Sequence, residues 1–381
     1  MRKLQHSTCS VIPPHIWRHM AEHGNDDVRE QVAATQFHSQ QINAGRAAAL
    51  MAPAPAAAPP PIPIGRTRSV YDAGHLRLLP GKLVMADHKA VSGDVEAIEA
   101  FDGSGATFDF YARIFLRNSI DGKGMPIIST IHYGTKFDNA MWDGRQMIYG
   151  DGDGKLFNRF TIAQDVIGHE LTHGVTQYTA ALEYHDQSGA LNEHISDAFG
   201  IMVKQYTLGL TASQSDWLIG EGLFGPNVHG LAIRSMKAPG TAYNDPLLGK
   251  DPQPANMRGY VTGSDDSGGV HINSGILNRA FCLAATALGG FTWVVVGRIW
   301  YLVLTEKLFP TAGFQDFAVA TVVMAGQLYG IGGQVQTTIA EAWSAVGLPV
   351  PPSLMKRAEA GVVRPFGRPR LRGELPERKA A

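Results

Sequence analysis

The pentapeptide His169-Glu170-Leu171-Thr172-His173 constrains this chain more than any other stretch. Two histidines four residues apart face the same way on an α-helix, where four residues make about one turn. A helix through Thr161–His173 is therefore predicted. Two imidazoles at that spacing suit one zinc ion, and Glu170 sits beside the first, within reach of a water on that metal.

A second stretch, Ser188-Gly189-Ala190-Leu191-Asn192-Glu193-His194-Ile195-Ser196-Asp197, reads as the opening of another helix. Glu193 and Asp197 share a face there. A solvated surface is the commoner fate of such a pair, but this one is embedded in apolar residues and follows the first helix at a workable distance. Glu193 is expected as the third zinc ligand. Asp197 is expected to accept the spare N–H of a ligating imidazole. Two His, one Glu and a water make an open, catalytic type of site.

The rest of the chain is that of an ordinary globular protein, with 381 residues, 44% hydrophobic and 18% charged. Its formal net charge of −1 gives no reason to expect nucleic acid as a partner. Two cysteines, Cys9 and Cys282, imply no disulfide framework. Apolar stretches such as Phe281 to Val296 are interrupted and too short to cross a membrane. No apolar run follows Met1-Arg2-Lys3, so no secretory leader is legible. Residues 1–46 are polar, with a helical pattern from His15 to Ala34. Residues 47–63 are Ala/Pro-rich, unsuited to a helix and suited to an exposed, cleavable linker. From Ser69 to Tyr149 short strand-like runs appear, among them Leu83–Met85, Thr107–Tyr111 and Ile127–His132. Helical patterns dominate from Thr161 to Val346, and Met355 to Ala381 reads as a disordered tail. Arg-rich 364–372 is read as solvated.

With Asp266-Ser267-Gly268-Gly269-Val270-His271-Ile272-Asn273-Ser274-Gly275, Asn139-Ala140-Met141-Trp142 and Tyr149-Gly150-Asp151-Gly152-Asp153-Gly154 added, the motifs together resemble the thermolysin family over roughly residues 69 to 347. The resemblance implies an α+β fold: a β-rich N-terminal domain, a helical C-terminal domain, and the active-site helix between them. The expected divisions are 1–46 a short inhibitory propeptide, 47–68 a linker with the processing site, 69–200 the N-terminal catalytic domain, 201–350 the helical domain and 351–381 the tail. It implies zinc on His169, His173 and Glu193, with Glu170 as general base and Asp197 orienting His169. It implies His271 and Tyr184 as oxyanion donors, with Asp266 holding His271. Asn139, Ala140 and Arg234 would bind the substrate backbone, and Val166, Ile219, Leu223 and Ile233 would line an apolar pocket. The chemistry so implied is cleavage of internal peptide bonds on the amino side of hydrophobic residues. His132, His185 and His194 are read as structural.

Two departures from the pattern suggest a branch. Asp165, Asp216 and Glu221 match positions of a double calcium site, but Lys204 takes the place of the shared carboxylate. An ammonium cannot ligate calcium. Lys204 is expected to replace the ions by pairing with those carboxylates, the bland alternative being that it points to solvent. The short N-terminal segment, with Cys9-Ser10-Val11-Ile12-Pro13-Pro14, resembles the compact propeptide of protealysin-like members. It implies a latent, self-processed precursor whose Pro13-Pro14 segment occupies the cleft. Cys9 is read as a packed residue, with a thiolate on zinc as the rival. A monomer is expected, with protein or peptide substrates. Secretion is implied by resemblance, by a route other than a secretory leader; the cytoplasm is the alternative. Two competing functions are a zinc aminopeptidase, for which no amine-holding group is legible, and a silent peptide-binding protein.

Overall fold

The computed structural model describes residues 10–51, 65–87 and 92–356. The chain opens with two helices, α1 (Pro14–His23) and α2 (Asp26–Met51). Pro13 sits at the N-cap of α1 and Pro14 in its first turn, where a missing N–H costs nothing. Ile16, Trp17 and Met20, at spacings of one face of a helix, are buried. The Asn25 side chain accepts from Val28 N at 3.0 Å and starts α2. The second helix continues through Ala47 to Met51, beyond where the Ala/Pro composition was expected to stop it. Alanine favours helix, and the first proline after this stretch is Pro53. Residues 52–64, the tail from 357 and Cys9 lie outside the described residues.

A five-stranded sheet follows, built from β1 (Arg68–Asp72), β2 (Lys82–Ala86), β3 (Ile127–Ile131), β4 (Ala140–Trp142) and β5 (Met147–Tyr149). Its order is β2-β1-β3-β5-β4. The three middle strands run parallel, and both edge strands are antiparallel to their neighbours. The sheet is interrupted in sequence by a helix, α3 (Val95–Phe115). Thr107–Tyr111, expected as a strand, lies inside it. Over five residues the apolar alternation mimics a strand. Over twenty, Ala97, Ala100, Ser104, Phe108, Tyr111 and Phe115 recur on one helical face and are buried. Asp94 fixes the start of α3 by accepting from Glu96 N and Ala97 N at 2.7 and 3.1 Å.

The remaining half is mostly helical: α4 (Gln164–Gln177), α5 (Asp186–Leu208), α6 (Asp266–Leu288), α7 (Val296–Glu306), α8 (Phe314–Tyr329), α9 (Gln334–Ala345) and α10 (Pro352–Met355). Four two-residue strands, β6 (Leu218–Ile219), β7 (Arg234–Ser235), β8 (Asn244–Asp245) and β9 (Gly249–Lys250), form two short ribbons between α5 and α6. Helices α4 and α5 cross where Gly168 meets Gly200. A Cβ on Gly200 would stand 2.4 Å from the Asp165 carbonyl oxygen, so only glycine lets the two backbones approach this closely. That crossing sets the distance between the two helices that carry the site. None of the described helices is long and apolar enough to cross a membrane.

Candidate active site

The α4–α5 crossing brings His169 and His173 against Glu193, all three buried. The two Nε2 atoms are 3.0 Å apart. Glu193 Oε2 lies 3.5 Å from His169 Nε2, and Glu193 Oε1 lies 3.4 Å from His173 Nε2. Each ring is fixed from behind. His169 Nδ1 donates to Asp197 Oδ1 at 2.8 Å, and His173 Nδ1 donates to Asn192 Oδ1 at 2.8 Å. Both outer partners are acceptors, so both Nε2 atoms turn lone pairs toward each other and toward a carboxylate. Glu193 Oε2 is buried without a hydrogen-bond partner. Such a convergence of acceptors is favourable only around a cation, and the donor set is that of an open zinc site.

Asp197 does more than hold His169. It also accepts from Arg234 Nε and Nη2 at 2.9 and 2.8 Å and from Asn278 Nδ2 at 2.8 Å. Burial alone would push its carboxyl up; Arg234 and His169 outweigh that and hold it well below the usual carboxylate range. Asn278 is in turn held by His194 Nδ1 at 2.8 Å, and His194 Nε2 accepts from Trp300 Nε1 at 2.9 Å. Burial lowers His194 to about 4, so the ring is neutral and relays orientation, not charge.

Glu170 is fully buried, with its carboxylate near the two imidazoles: the nearest ligand-type atoms of the three residues lie within 4.8 Å of one another. Its Oε2 accepts from the backbone N–H of Trp142 on β4 at 2.9 Å. The base position is thus pinned by the strand at the sheet edge, which leaves the Glu193 carboxylate as the one wedged between the imidazoles.

On the opposite wall, α6 begins with Asp266, Ser267, Gly268 and Gly269 in left-handed conformation. Gly268 has φ 89°, and a Cβ there would stand 3.0 Å from the Asp186 Cα, so glycine is favoured there. This turn folds the Asp266 carboxylate under His271, where it accepts from the His271 backbone N–H at 2.9 Å and from Nδ1 at 2.5 Å. Burial pulls His271 down, but Asp266 and Glu193 outweigh it and raise the imidazole to about 9. Tyr184 Oη donates to Glu193 Oε1 and lies 3.1 Å from His271 Nε2.

The cleft between these walls holds residues Ser10 to Ile12 of the chain itself. Val11 N donates to the Ala140 carbonyl on β4 at 3.4 Å, and Ile12 N to Asn139 Oδ1 at 3.4 Å. Asn139 Nδ2 donates to Ser10 Oγ at 2.5 Å. Arg234 Nη1 donates to the Val11 carbonyl at 3.2 Å, and His271 Nε2 to the Ser10 carbonyl at 3.2 Å. The segment expected in the cleft was Pro13-Pro14; it is the three residues before them. Proline has no N–H to give to a strand edge. Val166, Ile219, Leu223 and Ile233 are buried in one apolar cluster with Val11 and Ile12. Away from the cleft, Lys204 Nζ pairs with Asp216 Oδ2 at 2.7 Å and Glu221 Oε2 at 2.9 Å, and its charge also acts on buried Asp165.

Residues 65–177 match the thermolysin metallopeptidase catalytic domain, and residues 180–348 match its alpha-helical domain. The chain belongs to the thermolysin metallopeptidase family. It is a metalloendopeptidase. Among family members it is 48% identical over 345 residues to the extracellular metalloprotease of Pectobacterium carotovorum subsp. carotovorum, covering 90% of this chain and 97% of that one. It is 42% identical over 343 residues to protease PrtS of a Photorhabdus strain, covering 89% and 92%. The precursor of protealysin, a metalloproteinase from Serratia proteamaculans, has a similar structure, with a TM-score of 0.80, 47% identity and 89% and 99% of the two chains covered. This places the likeness on the branch with a short N-terminal segment, as its first residues suggested. Three features of the site are not legible in the sequence: Asn192 behind His173, the Trp142 N–H on Glu170, and the Trp300–His194–Asn278 relay. Only the first had a local signal, an Asn immediately before a ligand on the same helix.

Proposed function

We propose that this chain is the latent precursor of a secreted zinc endopeptidase that cuts before hydrophobic residues and frees itself by removing its N-terminal segment. The observation that carries the reading is the substrate-like course of Ser10–Ile12 along β4, with the Ser10 carbonyl under His271 and the Val11 carbonyl under Arg234. Val11 then stands where the residue after the cut would stand, and its own apolar side chain, buried in the same core as Val166, Ile219, Leu223 and Ile233, supports a hydrophobic preference. The relatives named as a precursor and as an extracellular protease support latency and action outside the cell.

In this reading His169, His173 and Glu193 hold zinc. When bound, zinc acidifies a water and polarises the scissile carbonyl. Glu170 takes the water's proton and passes it to the leaving amine. His271, protonated and braced by Asp266, and Tyr184 donate to the oxygen that gains charge; one such donor is typically worth about 3–4 kcal/mol in the barrier. Asn139, Ala140 and Arg234 hold the substrate as an added edge strand, as they hold Ser10–Ile12. Lys204 takes the place of calcium among Asp165, Asp216 and Glu221.

Incubating the purified chain, sequencing the new N-terminus and assaying casein tests this. A new N-terminus within 47–68 and casein hydrolysis, both abolished by Glu170→Ala and by a zinc chelator, are expected. Casein hydrolysis that survives Glu170→Ala would refute the assignment. Release of single N-terminal residues from short peptides, without internal cuts, would favour an aminopeptidase.

A further inference from the structure

Outside the cleft, a second group of metal-type donors gathers at the carboxyl ends of β1, β3 and β5, the three neighbouring parallel strands. His75 follows β1, His132 follows β3 directly, and Asp151 follows β5 by two residues. The first turn of α3 adds Asp94 and Glu96. The carboxyl ends of parallel strands are where topology most readily brings separate loops together on one ligand.

His132 Nδ1 lies 3.0 Å from Asp151 Oδ1 and 3.8 Å from Glu96 Oε2. His75 Nδ1 lies 3.2 Å from Asp151 Oδ2. Ligands arranged tetrahedrally on zinc, at bonds of about 2.0–2.1 Å, stand roughly 3.3–3.4 Å apart. The donors of the catalytic site in this same chain stand 3.0, 3.4 and 3.5 Å apart. The two short contacts of the second group, 3.0 and 3.2 Å, fall in the same range, and the donor atoms of His75, His132 and Asp151 all lie within 4.8 Å of one another.

The outer nitrogen of His132 is also disposed as in the catalytic site. Its Nε2 is 3.0 Å from Asp94 Oδ2, as His169 Nδ1 is 2.8 Å from Asp197 Oδ1. A carboxylate behind a ligating imidazole fixes the ring and raises its basicity. Glu96 Oε2 is buried at the group's edge, beside Asp151 and 3.8 Å from His132 Nδ1. Three carboxylates meet there with two imidazoles, so positive charge is in deficit. Both histidines have positive φ, 59° and 52°, which few non-glycine residues adopt, and His75 N donates to the His132 carbonyl at 2.9 Å. The two rings are thereby held 5.4 Å apart, centre to centre.

We propose that His75, His132 and Asp151 form a second metal site, for zinc or a similar divalent transition ion, with Asp94 as the residue that orients His132 and Glu96 at its edge. The ion replaces the proton that otherwise joins His132 to Asp151. Imidazole donors favour zinc-like ions over calcium and magnesium, which prefer oxygen. The site ties the loops after β1, β3 and β5 to the start of α3 and has no part in peptide cleavage.

Zinc-loaded full chain, freed of excess metal, is titrated with zinc chloride by calorimetry, and bound metal is counted after gel filtration. Wild type is expected to take up one further equivalent. His75→Ala, which changes a mostly exposed side chain that touches neither the zinc ligands nor the Ser10–Ile12 segment, is expected to weaken that uptake at least tenfold while keeping the catalytic zinc and casein activity. Asp151→Asn is expected to do the same. A wild type that stays at one equivalent, or a His75→Ala chain that binds the second as tightly as wild type, would overturn the assignment.

Discussion

Arg234 donates to Asp197 through two nitrogens, at 2.9 and 2.8 Å, and so stands directly behind the carboxylate that holds His169. Its third nitrogen reaches the Val11 carbonyl in the cleft at 3.2 Å. One guanidinium thus links the bound peptide to the metal-ligand scaffold. Both partners are buried, so removing the cation leaves an unpaired internal charge. Arg234→Leu is expected to destabilise the chain by about 3–5 kcal/mol and to weaken zinc retention, seen as an earlier urea midpoint and faster loss of metal to a chelator. Arg234→Lys should not restore either, because an ammonium cannot make the two-pronged contact. Full stability in Arg234→Lys would contradict this.

Lys204 gives a second prediction. Burial pushes the Asp165 carboxyl up, and the Lys204 charge is the first influence to oppose it. Lys204→Met leaves Asp165, Asp216 and Glu221 facing one another. Because Asp216 and Glu221 are partly exposed, the expected loss is modest, on the order of 1–2 kcal/mol. Lys204→Glu should make melting temperature depend on calcium, whereas wild type should melt at the same temperature with calcium or a chelator present. A strong calcium effect in wild type would count against the replacement of the ions by lysine.

The helix crossing is equally specific. At Gly200 an added Cβ meets the Asp165 carbonyl oxygen at 2.4 Å and His169 N at 3.1 Å, both backbone. Gly200→Ala must push α5 from α4, and Glu193 rides on α5. Loss of zinc binding should therefore exceed what the small gain in helix propensity would suggest. Metal content and far-ultraviolet dichroism of the purified variant check this: helices retained, zinc reduced at least about tenfold.

What could be read from the sequence follows from distance along the chain. His169 and His173 announce themselves because a helix makes four residues into neighbours. Glu193 and Asp197 do so for the same reason. Asn278, His194 and Trp300 act on the same site but lie on three helices, α6, α5 and α7, and no local period connects them. Helix α3 was hidden by a five-residue window in which its buried face imitates a strand. Proline-rich text suggests an extended ligand, but Pro13 and Pro14 have no N–H to give, whereas Val11 and Ile12 donate theirs to the Ala140 carbonyl and to Asn139 Oδ1. His132, read as structural, turns out to stand among donors from four separate segments, a juxtaposition that only the sheet order creates.

Docking of the N-terminal helices should depend on pH through His15. Its ring is packed against Tyr243, with Nε2 2.7 Å from the phenol oxygen. Burial is the main cause that lowers it, to about 4 from the usual 6.5; Asp266 raises it, while His271, Arg234 and Arg18 lower it further. A base whose pKa is depressed by docking takes up its proton only when docking is broken. Stability of the docked segment is therefore undiminished above about pH 6.5 and falls as pH drops toward 4. The drop across that window amounts to roughly 3 kcal/mol for this one group. His15→Gln keeps a hydrogen-bonding partner for Tyr243 but cannot titrate. Pulse proteolysis in urea, scored by loss of α1, should show a midpoint that falls between pH 7.5 and 4.5 in wild type. In His15→Gln, made on a Glu170→Ala background to prevent self-cleavage in both chains, that fall should be smaller. An equal fall in the two chains would show that acid loosens the segment through another group.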